Sequence, residues 1–100
     1  MPGAAPLAAI NAAIGGLARG LALDLAPIRV NVVSPGLVDT PLYSRMDDAA
    51  RQRMLQSAAE SLPVKHVAKP EEIAKAYVYL ADNPYASGSV VQVDGGGALV

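Results

Sequence analysis

The sequence predicts an α/β fold whose sheet contains a pair of parallel strands joined by a helical crossover. Two β-branched runs supply the strands. Arg29-Val30-Asn31-Val32-Val33 stops at Pro35-Gly36, and Ser89-Val90-Val91-Gln92-Val93 stops at Asp94-Gly95-Gly96-Gly97. Each has strand composition bounded by turn residues. The chain between them carries two helical periodicities, and a connection of that length implies parallel strands in right-handed connection. At 100 residues the chain allows one domain, spanning 1–100.

The first helix is read from the apolar positions Leu7, Ile10, Ile14, Leu17, Leu21 and Leu25, after an irregular lead over Met1–Pro6. A second row, Ala8, Ala12, Gly16 and Gly20, lies on another face. Glycine inside a helix costs about 1 kcal/mol relative to alanine. The expected compensation is close approach of another backbone, so this helix should be covered on more than one side. Ala26-Pro27 ends it. After the Pro-Gly turn, Pro41-Leu42-Tyr43 reads as a short helical turn. Met46, Ala50, Met54, Ala58 and Leu62 then trace an amphipathic surface helix over Asp47–Ser61, less buried than the first. Pro63 breaks it, and a loop carries Lys65 and His66. Pro70 suits a first helical position, with Glu71 and Glu72 favourable against the helix dipole. Ile73, Ala76, Tyr77 and Leu80 continue that helix to Asp82, where Asn83-Pro84 closes it.

Composition excludes several classes of function. The net charge of -1 gives no basic surface for nucleic acid. Cysteine is absent, which removes disulfides and thiolate metal sites. Asp39, Asp47 and Asp48 fit no recognised metal spacing. The first twenty residues lack a basic leader segment, and Asn11 and Arg19 interrupt any membrane span. A cytoplasmic location is the default expectation.

The stretch Ile28–Thr40 holds the candidate site. A strand that ends at a sharp turn puts exposed backbone donors at the carboxyl edge of a sheet, where open α/β folds bind ligands. On residue types alone, Pro-Gly and Asp-Thr are equally ordinary turn formers.

Four segments in register extend that reading. They are Asn11 to Pro27, Ile28 to Gly36 with Val38-Asp39-Thr40, Lys69-Pro-Glu-Glu-Ile73, and Gly88-Ser-Val-Val-Gln-Val-Asp-Gly-Gly96. Together they resemble the C-terminal part of a short-chain dehydrogenase/reductase. The resemblance implies the C-terminal portion of a Rossmann-like doubly wound parallel sheet, in the order helix, strand, helix, helix, strand. It further implies that Pro35, Gly36 and Val38 form the turn over the nicotinamide ring of NAD or NADP. Backbone groups near Val38 would bond the carboxamide, and Thr40 would reach the cofactor's phosphates. Tyr43 falls in the family's variable substrate loop. The family's acid/base Tyr and its Lys partner stand four residues apart on the first helix, one turn along a shared face. Here Leu7 and Asn11 occupy those positions. Leu7 cannot transfer a proton and Asn11 carries no charge. The family's glycine-rich phosphate loop, its adenine-side acidic residue and its catalytic Ser belong to an N-terminal half that this sequence does not contain. Gly95-Gly96-Gly97 follows a strand without a helix behind it and reads as a turn.

The remaining candidates take plain structural roles. His66 is a loop residue without a partner, Tyr77 and Tyr79 are core or rim, Tyr85 is a packing residue, and Met46 and Met54 belong to the core. Two functional readings follow. One is an oxidoreductase fragment carrying the nicotinamide-side wall of an NAD(P) site, not catalytic as an isolated chain and completed by a missing N-terminal half. The other is a non-catalytic self-association module. Parallel sheets are normally multi-stranded and covered. Two strands alone therefore imply a homo-oligomer, a dimer or tetramer.

Overall fold

The computed structural model describes residues 4–41 and 45–100, the side chains of Ala4 and Leu7 excepted. Its elements run α1 (Ala4–Asp24), β1 (Val32–Pro35), α2 (Asp48–Ser61), α3 (Pro70–Asp82), β2 (Val90–Val93) and a closing 3₁₀ turn, Gly97–Leu99. β1 and β2 pair in parallel, with Val32 opposite Val90 and Pro35 opposite Val93. The predicted crossover is therefore present, with α2 and α3 lying between the strands.

Helix limits follow local chemistry. The Asp47 carboxylate accepts the Ala50 N–H at 3.3 Å and caps α2, so the helix starts one residue later than the sequence suggests. Pro70 opens α3, and the Glu72 carboxylate accepts the Lys69 N–H at 2.9 Å. That is one half of a capping box; lysine has no acceptor with which to return it. α1 begins at Ala4, inside the stretch expected to be irregular. Pro6 sits in its first turn, where a missing N–H costs nothing. The predicted turn at Pro41-Leu42-Tyr43 falls mainly on residues outside the described ones.

β1 begins later than Arg29 because Arg29 to Asn31 bond the loop before β2. The Gly88 N–H reaches the Val30 carbonyl at 2.8 Å, and the Ser89 N–H reaches Asn31 Oδ1 at 3.1 Å. The ladder starts at Val32 and runs through Pro35, whose missing donor is tolerated at a strand end.

The core lies mainly where α3 meets the strands. Its buried side chains are Ile73, Ala76 and Leu80, with Ala86 before β2 and Ala18 from α1. α1 departs from expectation. Ile10, Ile14, Leu17 and Leu23 are exposed, and a methyl added at Gly16 or Gly20 would meet nothing within 4 Å. Only Gly15 is approached, by Val90 Cγ2 at 3.5 Å. Among the described residues, then, Gly16 and Gly20 of that row are bare. α2 in contrast half-buries Met54, Leu55, Ala58 and Ala59, reversing the predicted order of burial. Met46 and Tyr85 are exposed, not packed, and Tyr77 and Tyr79 lie at the rim.

The chain exposes 7197 Å². A compact monomer of its 10.2 kDa mass exposes about 5,300 Å². The radius of gyration, 15.8 Å, likewise exceeds the ~13 Å expected for this length.

Candidate functional site

The exit of β1 is held by backbone geometry. The Gly36 N–H donates to the Val93 carbonyl at 2.9 Å. A methyl at Gly36 would lie 2.8 Å from Asp94 Cα, so only glycine lets the ends of the two strands close together. The chain then leaves the ladder and forms one parallel bridge between Val38 and Ala68. In that bridge the Ala68 N–H donates to the Leu37 carbonyl at 3.3 Å, and the Asp39 N–H donates to the Ala68 carbonyl at 2.9 Å. The partners of Ala68 are thus the residues flanking Val38. Val38's own N–H and carbonyl face the opposite way, and neither bonds another described residue.

Side chains alternate along this extended segment. Pro35, Val38 and Thr40 line an apolar cavity of about 300 Å³ together with Ile73 and Tyr77 of α3. Asp39 faces the other side, where its carboxylate pairs with the Arg51 guanidinium of α2. A second cleft, about 290 Å³, lies between α1 and β1 and is lined by Asn11, Ile14, Gly15, Ser34 and Pro35. Its polar side chains are one amide and one hydroxyl. Among the residues lining it, none has a side chain that titrates near neutral pH.

Of the residues singled out by sequence, three share one cavity, with Pro35 also reaching the Asn11 cleft. Gly36 lines neither and acts at the junction of the strands. The Leu7 side chain and all of Tyr43 lie outside the described residues.

His66 has a partner, contrary to expectation. Its Nε2 lies 2.9 Å from Glu72 Oε2, and its Nδ1 lies 3.2 Å from the Val64 carbonyl. The Glu72 hydrogen bond, then the Val64 carbonyl, raise the His66 pKa above its ordinary 6.5. The Lys69 N–H, then His66, hold Glu72 below its ordinary 4.5. Among the described residues no cluster of His, Cys, Asp and Glu is arranged to hold a metal ion. Among the described residues no helix is long and apolar enough to cross a membrane.

The glycine turn after β2 is closed by its own aspartate. Asp94 accepts the Gly96 N–H at 3.0 Å and the Ala98 N–H at 3.2 Å, and also accepts Gln92 Nε2 at 2.8 Å. The backbone donors that a phosphate would need already hold a carboxylate. A short 3₁₀ turn does follow, which the sequence did not suggest.

Three supporting residues escaped sequence reasoning. Arg29 donates to the carbonyls of Leu80 at 2.7 Å, Ala86 at 3.2 Å and Ala81 at 3.3 Å, fastening the end of α3 to the approach of β1. Asn31 bridges Ala86 and Ser89, and Asp94 orders the last turn. Most of their partners are backbone groups, and those of Arg29 and Asn31 lie over fifty residues away, so neither motif nor periodicity marks them.

A parallel strand pair flanked by helices, with a cavity beyond the carboxyl end of β1, belongs to the α/β class that binds ligands at strand ends. Comparison with known proteins narrows the class. A family model described as enoyl-(acyl carrier protein) reductase matches residues 1–98. The short-chain dehydrogenase/reductase ucsE of an Acremonium species is 38% identical over 95 residues, covering 95% of this chain and 36% of that protein. A crystal structure of a small-chain dehydrogenase in complex with NADPH superposes with a TM-score of 0.85 at 46% identity, over 93% of this chain and 42% of its own. MalC reductase/Diels-Alderase of Malbranchea aurantiaca gives a TM-score of 0.87 at 36% identity, over 100% of this chain and 39% of its own. This chain belongs to the short-chain dehydrogenase/reductase family, and its fold is the C-terminal portion of that family's doubly wound sheet. It spans about two-fifths or less of the length of these relatives.

Proposed function

We propose that this chain forms the nicotinamide-side wall of an NAD(P) site in an oxidoreductase and does not catalyse hydride transfer by itself. The observation that carries the reading is the Val38–Ala68 bridge, which turns the Val38 N–H and carbonyl away from their neighbours. A primary amide such as the nicotinamide carboxamide needs one acceptor and one donor on a single edge, and one strand residue offers both. Pro35 and Gly36 set the turn, and the Thr40 hydroxyl serves a cofactor phosphate. The relative bound to NADPH supports the choice of ligand. When bound, the dinucleotide supplies the hydride; these residues hold and orient it.

Proton transfer is a separate matter. Asn11 can hydrogen-bond a hydroxyl but cannot hold a positive charge, and Leu7 has no proton to give. The catalytic function therefore depends on polypeptide beyond these residues.

A second reading, self-association, rests on the surface excess. About 1,900 Å² beyond the compact value is the scale of one side of an obligate interface. A homo-oligomer, or a longer polypeptide supplying the neighbouring strands, would cover it.

Fluorescence titration with NADH and NADPH tests the first reading. Saturable binding is expected, weakened roughly tenfold in Thr40→Val through loss of one bond to an anionic oxygen. No binding up to millimolar cofactor leaves the self-association reading. In Leu7→Tyr/Asn11→Lys no turnover is expected, and appreciable turnover refutes the non-catalytic assignment.

A further inference from the structure

The cofactor wall does not use the reverse side of the Val38–Thr40 segment. There a groove of about 410 Å³ runs between α2 and the loop leading to α3. Arg51, Lys65 and Lys69 line it, with His66 beside them, and Asp39 is its one carboxylate. Three permanent cations thus gather around one acidic group in a chain of net charge -1.

Their bonding leaves donors to spare. Arg51 gives Nη2 to Asp39, while its Nε is buried and meets no acceptor among the described residues. A buried donor left without an acceptor is costly and invites one. Lys65 adopts the left-handed conformation at φ 61, uncommon for a residue with a side chain. It places Nζ 2.7 Å from the Glu60 carbonyl at the end of α2, which leaves its full charge unneutralised by a carboxylate. The Lys69 ammonium bonds no described residue. The Glu72 carboxylate, which the Lys69 charge also helps to hold below its ordinary range, is engaged by His66 and the Lys69 N–H.

We propose that this groove binds a small multiply charged anion of the phosphate-ester class, at a site separate from the cofactor wall. Its volume suits a small molecule. Arg51 offers a planar fork and the lysines act as point charges, the usual division of work around a phosphate. The net charge and the small extent of the patch argue against nucleic acid.

The test is a titration of isotope-labelled protein with inorganic pyrophosphate, followed through backbone amide shifts. Saturable shifts are expected at Arg51, Gln52 and Lys65 to Lys69. The double variant Lys65→Asn/Lys69→Gln should weaken binding about tenfold, the effect of removing two charges near the anion. Asparagine tolerates the left-handed backbone, so the loop should keep its shape, and unchanged shifts elsewhere verify this. Thr40→Val should leave pyrophosphate binding unaltered. The proposal is overturned if no saturable shifts occur, if the double variant binds as the parent does, or if Thr40→Val abolishes binding. Binding of an oligoglutamate peptide but not of pyrophosphate overturns it as well.

Discussion

In a Gly36→Ala variant the new methyl would sit 2.8 Å from Asp94 Cα, 3.0 Å from its Cβ and 3.2 Å from its carbonyl oxygen. Carbon atoms pack best at about 3.5–4.0 Å, so the ends of β1 and β2 must part by roughly 0.7 Å or more. The first two of these neighbours belong to the start of the Asp94 turn, and no rotamer change relieves them. Overpacking of this kind costs about 1–3 kcal/mol. The separation also stretches the Gly36–Val93 bond, itself about 1 kcal/mol. Against this, alanine restricts the unfolded chain and returns about 0.4–1 kcal/mol. The net expectation is a loss near 2 kcal/mol, or a melting temperature lower by roughly 10 °C for a domain of this size. Urea unfolding measures the first quantity, and cofactor titration measures how far Val38 has moved. Gly15→Ala is the matched control, because its methyl would meet Val90 Cγ2 at an ordinary 3.5 Å. A Gly36→Ala protein as stable as its parent, with unchanged cofactor affinity, refutes the account of this turn.

Three further outcomes are expected. Gly16→Ala and Gly20→Ala should each stabilise the unassociated chain by about 1 kcal/mol, since their faces are open. If α1 lies in an interface, the same changes weaken association, and sedimentation velocity beside urea unfolding separates the two effects. Arg29→Ala should cost about 2 kcal/mol through lost charged hydrogen bonds to Leu80 and Ala86, read by urea unfolding. The third concerns pH. His66 is raised in the folded state, so its contribution is whole below its ordinary 6.5 and fades as pH rises through the raised value. Glu72 is lowered, so its contribution is whole above 4.5 and fades as pH falls through the lowered value. The stability difference between parent and His66→Gln should be larger near about pH 5.5 than near about pH 8.5, and equal differences would refute the pairing.

Local chemistry was legible in the sequence and long-range bonding was not. Pro70 with two glutamates marked the start of α3, and the periodicity placed the start of α2 within one residue, at Asp47, which proves to be its cap. The parallel pair followed from the length between two β-branched runs. β1 slipped by three residues because Arg29 and Asn31 spend their side chains on the end of α3 and the loop before β2, more than fifty positions away. The burial of α1 was misread for a related reason. Its leucines, isoleucines and glycines record what a helix can pack against, and among the described residues most of them, Gly15 and Leu21 excepted, stay exposed. Pro35, Val38 and Thr40 became candidates through the family resemblance, since residue types alone read as an ordinary turn. The bridge that leaves the Val38 backbone edge free was not legible, because it depends on Ala68, a residue with no signature at all.

Asp94 has a consequence for any glycine-rich segment after a strand. Its carboxylate is tethered two and four residues from the amides it satisfies, so it competes at an effective concentration in the millimolar range or above, which no dilution lowers. A free phosphate would have to displace an anion that never diffuses away. The turn is in this sense an anion site that arrives already filled, and its occupant is covalently part of the chain. Asp94→Asn would keep an oxygen acceptor in place while removing the charge, converting a permanently occupied nest into one that a solute could contest.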